Sequence, residues 1–461
     1  MVQVSDSSAR FLHELEIRYQ PLAQLTPYRN NARTHSPKQI QQLAESIKAF
    51  GFVNPVLVDA KGGIIAGHGR VAAARLLNLS QVPTIRLDHL TPEQLQAYIL
   101  ADNRLAELAG WDKEILAIEF QHLLDLDLEF DITITGFETP EIDLAIQSLE
   151  PAQDQEDEMP VIDAGVPTVS QLGDAWVLGE NRLVCGDALQ PATYSQLMHD
   201  VQARVIFTDP PYNVPIGGHV CGKGSIQHNE FAMASGELSE TEFINFLKTS
   251  LSHMAQCSLP GSLHYICMDW RHMGELLAAG KSVYTDLKNV CVWNKDNGGM
   301  GSLYRSKHEL VFVFKHGQTP HVNNIELGRY GRYRTNVWDY PGVNTFREGR
   351  LDDLKLHPTV KPVALVADAI CDASHRGELV LDAFGGAGTT LLAAERVGRQ
   401  ARVIEIEPRY VDVSIRRWEA VTGNTATHEQ TGLTFDVLAE RRTTPTDRID
   451  SEDTPGGPEN G

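Results

Sequence analysis

Three places in this 461-residue chain put chemically pointed residues directly after short apolar runs. The first is Asp209-Pro210-Pro211-Tyr212, which follows Val205-Ile206-Phe207-Thr208. Paired prolines fix the backbone there and present a carboxylate, a backbone carbonyl and an aromatic ring together. An exocyclic base amine requires such a set, because its lone pair is delocalised into the ring and it is a poor nucleophile. Asp209 and the Pro210 carbonyl can accept its two hydrogens, favouring a tetrahedral nitrogen whose lone pair is aimed at a methyl group. Tyr212 can stack on a base flipped from its duplex.

The second place is Asp382-Ala383-Phe384-Gly385-Gly386-Ala387-Gly388-Thr389-Thr390, between the run Leu379-Val380-Leu381 and a helical pattern. Strand, glycine turn and helix in succession suit a nucleoside-type cofactor: glycines allow close backbone approach, and Thr389 or Thr390 can cap the helix. The dinucleotide spacing G-x-G-x-x-G is absent, and no P-loop lysine follows. The third place is Glu405, after Ala401-Arg402-Val403-Ile404. An acid at such a strand end can accept both ribose hydroxyls of a nucleoside, with Glu407 as the competitor. Asp187, in CGDAL, is a contact for the cofactor's adenine or a residue of a structural turn.

These residues need a sheet to position them. The runs AWVLG, NRLVCG, ARVIFTD, GSLHYICMD, NVCVWNK, ELVFVFKH, ELVLDAF and ARVIEIE alternate with helical patterns. That alternation predicts a doubly wound α/β fold, with ligands beyond the carboxyl ends of the strands. Ahead of it, a smaller α+β domain is expected over 1–148. Ser36-Pro37 starts a helix ended by Gly51, strands NPVLVD and IIAG follow, and Gly67-His68-Gly69-Arg70 leads into a helix. Residues 149–170 read as an acidic linker, 171–440 as the larger domain and 441–461 as a disordered acidic tail.

The net charge of −21 disfavours indiscriminate polyanion binding, but such affinity depends on where positive charge sits. The linker and tail hold 11 of the 61 acidic residues, away from any expected DNA face. Within an insert at 215–356, whose first part is expected as a loop over the site, Arg329, Arg332, Arg334, Arg347 and Arg350 interleave with Tyr330, Tyr333, Trp338 and Tyr340. Arginines with aromatics suit phosphates and guanine edges; a salt-bridged surface is the alternative. Six cysteines without a C-x-x-C pair argue against zinc and disulfides, so no metal is expected and a reducing cytoplasm fits. Neither a secretory signal nor a membrane span is expected.

The D-P-P-Y segment, His357-Pro358-Thr359-Val360-Lys361-Pro362, the glycine turn and Glu405 together resemble the amino-type DNA methyltransferases. Their catalytic motif is D/N/S-P-P-Y/F and their cofactor motif D-P-F-x-G-S/A-G-T-T; Ala383 stands here in place of the proline. The catalytic strand precedes the cofactor strand, the order of the beta group. The resemblance, over roughly 170–425, implies a Rossmann-like S-adenosylmethionine-dependent fold and methyl transfer to double-stranded DNA. The Asp form goes mostly with adenine N6; cytosine N4 is the alternative. It favours Glu405 over Glu407 by the pattern G-x-E-x-x-P-x-Y, and it gives Lys361 a contact beside the methionine end of the cofactor or a structural turn. Asp382, Phe384, Gly385, Gly386, Gly388, Thr389 and Thr390 are the cofactor residues it implies. A restriction endonuclease partner and a homodimer are open.

Residues 13–110, through GFVNPVLVD and IIAGHGRVAAARLLNLSQVP, resemble the ParB-like N-terminal domain. In that family the Gly-x-Gly-Arg turn can sit against a nucleotide phosphate, which makes Gly67, His68, Gly69 and Arg70 candidates for nucleotide or DNA contact. A ParB-like binding protein with a vestigial methylase is the remaining alternative.

Overall fold

The computed structural model describes residues 15–126, 128–149, 157, 167–214, 234–296, 298, 303–342 and 360–443. The chain divides into two compact units, Met1–Pro151 and Ala152–Gly461.

In the first unit, β1 (Ile17–Pro21), α1 (Pro37–Phe50), β2 (Val56–Val58), β3 (Ile64–Ala66), α2 (His68–Leu76) and β4 (Gln81–Arg86) follow one another. They make a mixed sheet in the order β1-β4-β2-β3. The Ser36 side chain accepts from the Gln39 amide at the head of α1, and Gly51, at φ +81°, ends it. Val56, Val58, Ile64, Val71 and Val82 form the core beneath. Then come α3 (Pro92–Leu108), α4 (Lys113–Leu124) and α5 (Thr139–Gln147); Phe120, Ile142 and Ile146 pack α4 and α5 together.

The second unit runs β5 (Ala175–Leu178), β6 (Asn181–Cys185), α6 (Pro191–Met198), β7 (Ala203–Thr208), α7 (Glu240–Gln256), β8 (Ser258–Met268), α8 (Met273–Val283), β9 (Asp286–Asn294), β10 (His308–Lys315) and β11 (Val337–Asp339). It continues through α9 (Val363–Ala373), β12 (Leu379–Asp382), α10 (Thr389–Arg396), β13 (Gln400–Glu405), α11 (Pro408–Thr422), β14 (Thr427–His428) and α12 (Phe435–Thr443). One sheet takes all ten strands, in the order β11-β9-β10-β8-β7-β12-β13-β6-β5-β14. Its middle, β8-β7-β12-β13-β6, is parallel throughout. All eight runs expected as strands are strands, and short β11 and β14 extend the edges.

Side-chain alternation explains why helices cover both faces. Val205 and Phe207 of β7 join one cluster with α9, α10 and α11. Ile206, between them, joins the other, with α6, α7 and α8. The fold is a Rossmann-like α/β sheet with a smaller α+β domain ahead of it. Strand order reverses between β7, whose successor β8 lies on one side, and β12, whose successor β13 lies on the other. Such a reversal opens a crevice at the carboxyl ends, where ligands bind in these sheets. Among the described residues no helix is long and apolar enough to cross a membrane.

Candidate active site

The crevice is built from two adjacent strand ends. Thr208, the last residue of β7, donates its hydroxyl to Asp382 Oδ1 at 2.7 Å, and Thr390 donates to Oδ2 at 2.6 Å. The Phe384 amide also donates to Oδ1, at 3.0 Å. Asp382 therefore faces inward and ties β7, the glycine turn and α10 together. The Asp382 and Thr390 side chains are both buried, with these bonds made inside the fold. Burial pushes the Asp382 carboxyl up to about 6.

The glycines beyond have separate reasons. A Cβ on Gly385 would lie 2.2 Å from Val403 Cγ1, so only glycine lets the turn rest on β13. Gly388 sits at φ +82°, and a Cβ there would meet Ser414 at 2.8 Å. The Gly386 amide donates to Glu405 Oε2 at 2.7 Å, and the Glu407 amide donates to Oε1 at 2.8 Å. Glu405 is thus pinned at the end of β13 and Glu407 is not its equal. Burial pushes the Glu405 carboxyl up to about 7 against the pull of those two amides, and each oxygen keeps a lone pair for a further donor. The hydroxyls of a ribose are such donors, and this chemistry fits a nucleoside in the crevice. Asp187 lies next along the sheet, half-buried after β6, with Oδ1 accepting from the Leu189 amide at 2.8 Å. Phe384, Gly386 and Thr389 are the partly accessible residues of the turn.

On the β7 side the tetrapeptide forms an ionic cluster. The Tyr212 hydroxyl donates to Asp209 Oδ1 at 2.6 Å and lies 3.2 Å from Glu309 Oε2. The Lys361 ammonium contacts Asp209 Oδ2, sits 3.0 Å from Glu309 Oε2 and donates to the Tyr212 hydroxyl at 3.3 Å. Lys295 closes the group by pairing with Glu309 Oε1, its ammonium 4.4 Å from the Trp293 ring. Burial opposes every charge here. Even so, Lys361 and Lys295 hold Glu309 down to about 2, and Asp209 and Glu309 hold Lys361 above its ordinary range. Burial, with Asp209 and Glu309 beside it, keeps the Tyr212 phenol protonated.

The described residues thus set a glycine turn with a pinned acid beside a carboxylate–aromatic pair at neighbouring strand ends. A family model described as DNA methylase matches residues 203–416, spanning both halves of that crevice. Models of the ParB N-terminal domain and the ParB-methyltransferase HTH domain match 6–103 and 114–172. The chain is an N6/N4-class DNA methylase with a ParB-type N-terminal domain. The ParB-like nuclease domain-containing protein YnaK of Escherichia coli K12 is 60% identical over 83 residues, 18% of this chain and 95% of that protein. The Type II methyltransferase M2.MboI of Moraxella bovis is 24% identical over 230 residues, covering 48% of this chain and 83% of its own length. A crystal structure of an M1.HpyAVI–SAM complex overlays with a TM-score of 0.38 at 19% identity, over 51% of this chain and 97% of that one.

In this methylase the arginines expected to meet DNA divide. Arg332 is 3% exposed; its Nε donates to Asp372 at 2.8 Å and its other arm reaches Asp368. Arg334 pairs with the same two carboxylates and donates to the Tyr340 hydroxyl at 2.8 Å. Both brace the 330s segment against α9, Arg332 deep inside the fold and Arg334 with one buried Nη2 left without a bond. Arg329 remains at the surface beside Glu326 and the Tyr330 ring. Arg347, Arg350, His357, Pro358 and Thr359 lie outside the described residues, as do 215–233 of the expected loop, most of the linker and the tail after 443.

In the ParB-type domain Gly67, at φ +101°, turns the chain into α2. Arg70 folds back so that its Nε lies 3.2 Å from where a Gly67 Cβ would stand. A Cβ on Gly69 would come within 3.0 Å of His35 and Leu43, so that glycine serves packing against α1. His68 Nε2 accepts from the Tyr28 amide at 3.2 Å and is tied to the fold. A cavity of about 460 Å³ opens at this turn, lined in part by Asn31, His35, Asn54, His68, Arg70 and Asp102.

Glu309 and Lys295 belong to this cluster although sequence reasoning gives them no part. The helix-turn-helix match was missed as well. The Asp112 cap of α4 and the Thr139-Pro140 start of α5 were the available signals.

Proposed function

We propose that this methylase transfers a methyl group from S-adenosylmethionine to N6 of adenine in double-stranded DNA. The observation that carries this reading is the Asp209 carboxylate at the β7 end, one strand away from a glycine turn with a pinned acid. Asp209 and the Pro210 carbonyl accept the two amine hydrogens, which frees the nitrogen lone pair, and the Tyr212 ring supports the flipped base. Glu405 accepts from the ribose hydroxyls, Asp187 serves the cofactor's adenine, and Phe384, Gly385, Gly386, Gly388 and Thr389 shape the wall. S-adenosylmethionine supplies an activated methyl on a sulfonium, so the protein's part is placement and acceptance of hydrogens. Adenine rests on aspartate, rather than serine, heading the tetrapeptide. Arg329 is assigned to the DNA side, along with Arg347 and Arg350.

The ParB-type domain, with its Gly67–Arg70 turn facing a cavity, recruits or places the enzyme through DNA or a nucleotide. Unmethylated genomic DNA treated with the protein and labelled cofactor, then digested to nucleosides and chromatographed, tests the assignment. N6-methyladenine is the expected product; N4-methylcytosine would replace the adenine reading. No label in DNA would favour a binding protein with a vestigial methylase.

A further inference from the structure

Asp209 has an unusual neighbour for a hydrogen-bond acceptor. It is contacted by the ammonium of a buried lysine that is itself held by a second carboxylate. Lys361 immediately precedes the Pro362 cap of α9, Glu309 lies on β10 and Asp209 follows β7, so three separate elements deliver the group. Lys361 has 5% exposure and Glu309 12%. An ion pair this deep is worth its desolvation only when the geometry is satisfied on both sides. Here it is: Lys361 reaches Asp209, Glu309 and the Tyr212 hydroxyl, while Lys295 takes the other oxygen of Glu309.

Resting on the reading of Asp209 as acceptor of the target amine, we propose that Lys361, anchored by Glu309, is a positioning residue for methyl transfer. Its ammonium holds Asp209 as an acceptor-only carboxylate at a fixed angle. A protonated Asp209 would present a hydroxyl donor to a nitrogen that must give up hydrogens. The cofactor contact expected for Lys361 then gives way to a role one step removed from the reacting atoms.

The surroundings of Asp209 make the lysine necessary. Burial holds its carboxyl above the ordinary range even with Lys361 drawing it down, and Glu309 on β10 adds like charge. Asp382 on β12 is a further carboxyl within electrostatic reach. Cys267 on β8 faces it as a buried thiol kept protonated by burial and by Asp209 itself. The Tyr212 hydroxyl helps by donation, but it is neutral. Lys361 is the cation that touches Asp209 among the described residues.

The test uses the full chain, unmethylated genomic DNA and single-turnover methyl transfer from pH 6 to 8.5, with cofactor affinity measured by calorimetry. Lys361→Met is expected to lose at least about tenfold between pH 8.5 and pH 6, since one titrating group gives up to tenfold per pH unit. With cofactor saturating at every pH, wild type should change less than about twofold, and the variant's cofactor affinity should stay within about threefold of wild type at each pH. Lys361→Arg should restore the flat profile. If Lys361→Met folds poorly because two carboxylates are left together, the Lys361→Met/Glu309→Gln pair removes that repulsion and should still show the acid limb. A profile parallel to wild type in both variants overturns the proposal. So does a loss confined to cofactor affinity, which would make Lys361 a ligand contact. Retained methylation in Asp209→Ala would instead sink the underlying acceptor assignment, a result readable separately.

Discussion

Replacing Glu405 with alanine should weaken S-adenosylmethionine binding and erase a pH dependence that wild type shows. Both Glu405 oxygens already accept from backbone amides, at 2.7 Å from Gly386 and 2.8 Å from Glu407. Each oxygen keeps a lone pair for a ribose hydroxyl. A hydrogen bond to a charged acceptor contributes about 1.5–3 kcal/mol. Loss of two such bonds, partly offset by water entering the space, gives about 2–4 kcal/mol, or a Kd raised about 30- to 1000-fold. Glutamine is no conservative substitute, because its amide NH₂ must confront one of the two backbone donors. Burial pushes the free carboxyl up to about 7, and ribose hydroxyls favour the ionised form. Affinity should therefore be level above about pH 7 and fall towards tenfold per pH unit below it. The linkage has a second consequence. A folded-state value above the ordinary carboxyl range means this group's contribution to stability is present at low pH and lost as pH rises through 7. Cofactor should then raise the melting temperature more at pH 8 than at pH 6. Isothermal titration across that range measures the first effect and thermal unfolding the second. A Glu405→Ala protein that binds within about threefold of wild type at pH 8, or a wild-type affinity flat from pH 6 to 8, would refute the assignment of Glu405 to the ribose.

Two further substitutions probe the acceptor and the frame. Tyr212→Phe keeps the ring but removes the hydroxyl that donates to Asp209 at 2.6 Å; methyl transfer should fall roughly tenfold while DNA affinity holds, the loss of one bond to a charged group. An equal loss of DNA affinity would show that the hydroxyl acts in binding. Arg332→Ala strips the more deeply buried of the two arginine partners from Asp372, leaving Arg334, and should cost about 1–3 kcal/mol of unfolding free energy in denaturant titration. It should leave the salt dependence of DNA binding unchanged; a shallower slope would return Arg332 to the phosphate contacts.

Much of the fold was legible because the larger unit is built from apolar runs that end where polar residues begin. Seven of the eight runs bury side chains on both faces, while β9 buries only Cys291 and Trp293 on one, and continuous hydrophobicity is the mark of a parallel sheet's interior. Shorter pieces escaped. β14 has two residues, and β11 has three with only Trp338 buried. β4 carries Pro83 opposite Tyr19, and a proline within a run argues against a strand. The Ser36 and Gly51 limits of α1 were readable because caps are local chemistry.

The sites were legible to the extent that their residues were neighbours in sequence. The glycine turn could be read as a unit, since its shape depends on residues within one strand–turn–helix. Which way Asp382 faces could not, because Thr208, its partner, lies 174 positions earlier. The arginines misled for the same reason: interleaved with aromatics they resemble a phosphate-binding face, yet Asp368 and Asp372, over 30 residues on, take Arg332 inward. Lys361 is the sharpest instance. In sequence it belongs to a segment before a helix, 152 residues from Asp209, and nothing local links it to Glu309 on β10. The link is made by strand order. Because β8 and β10 follow β7 outward while β12 turns back beside it, the residues capping β7, β10 and α9 converge at one end of the sheet. A lysine entering that space must be paired or neutral, and two carboxylates from different elements supply the pairing. The reversal that opens a ligand crevice therefore also creates the buried position in which a cation can hold the acceptor ionised.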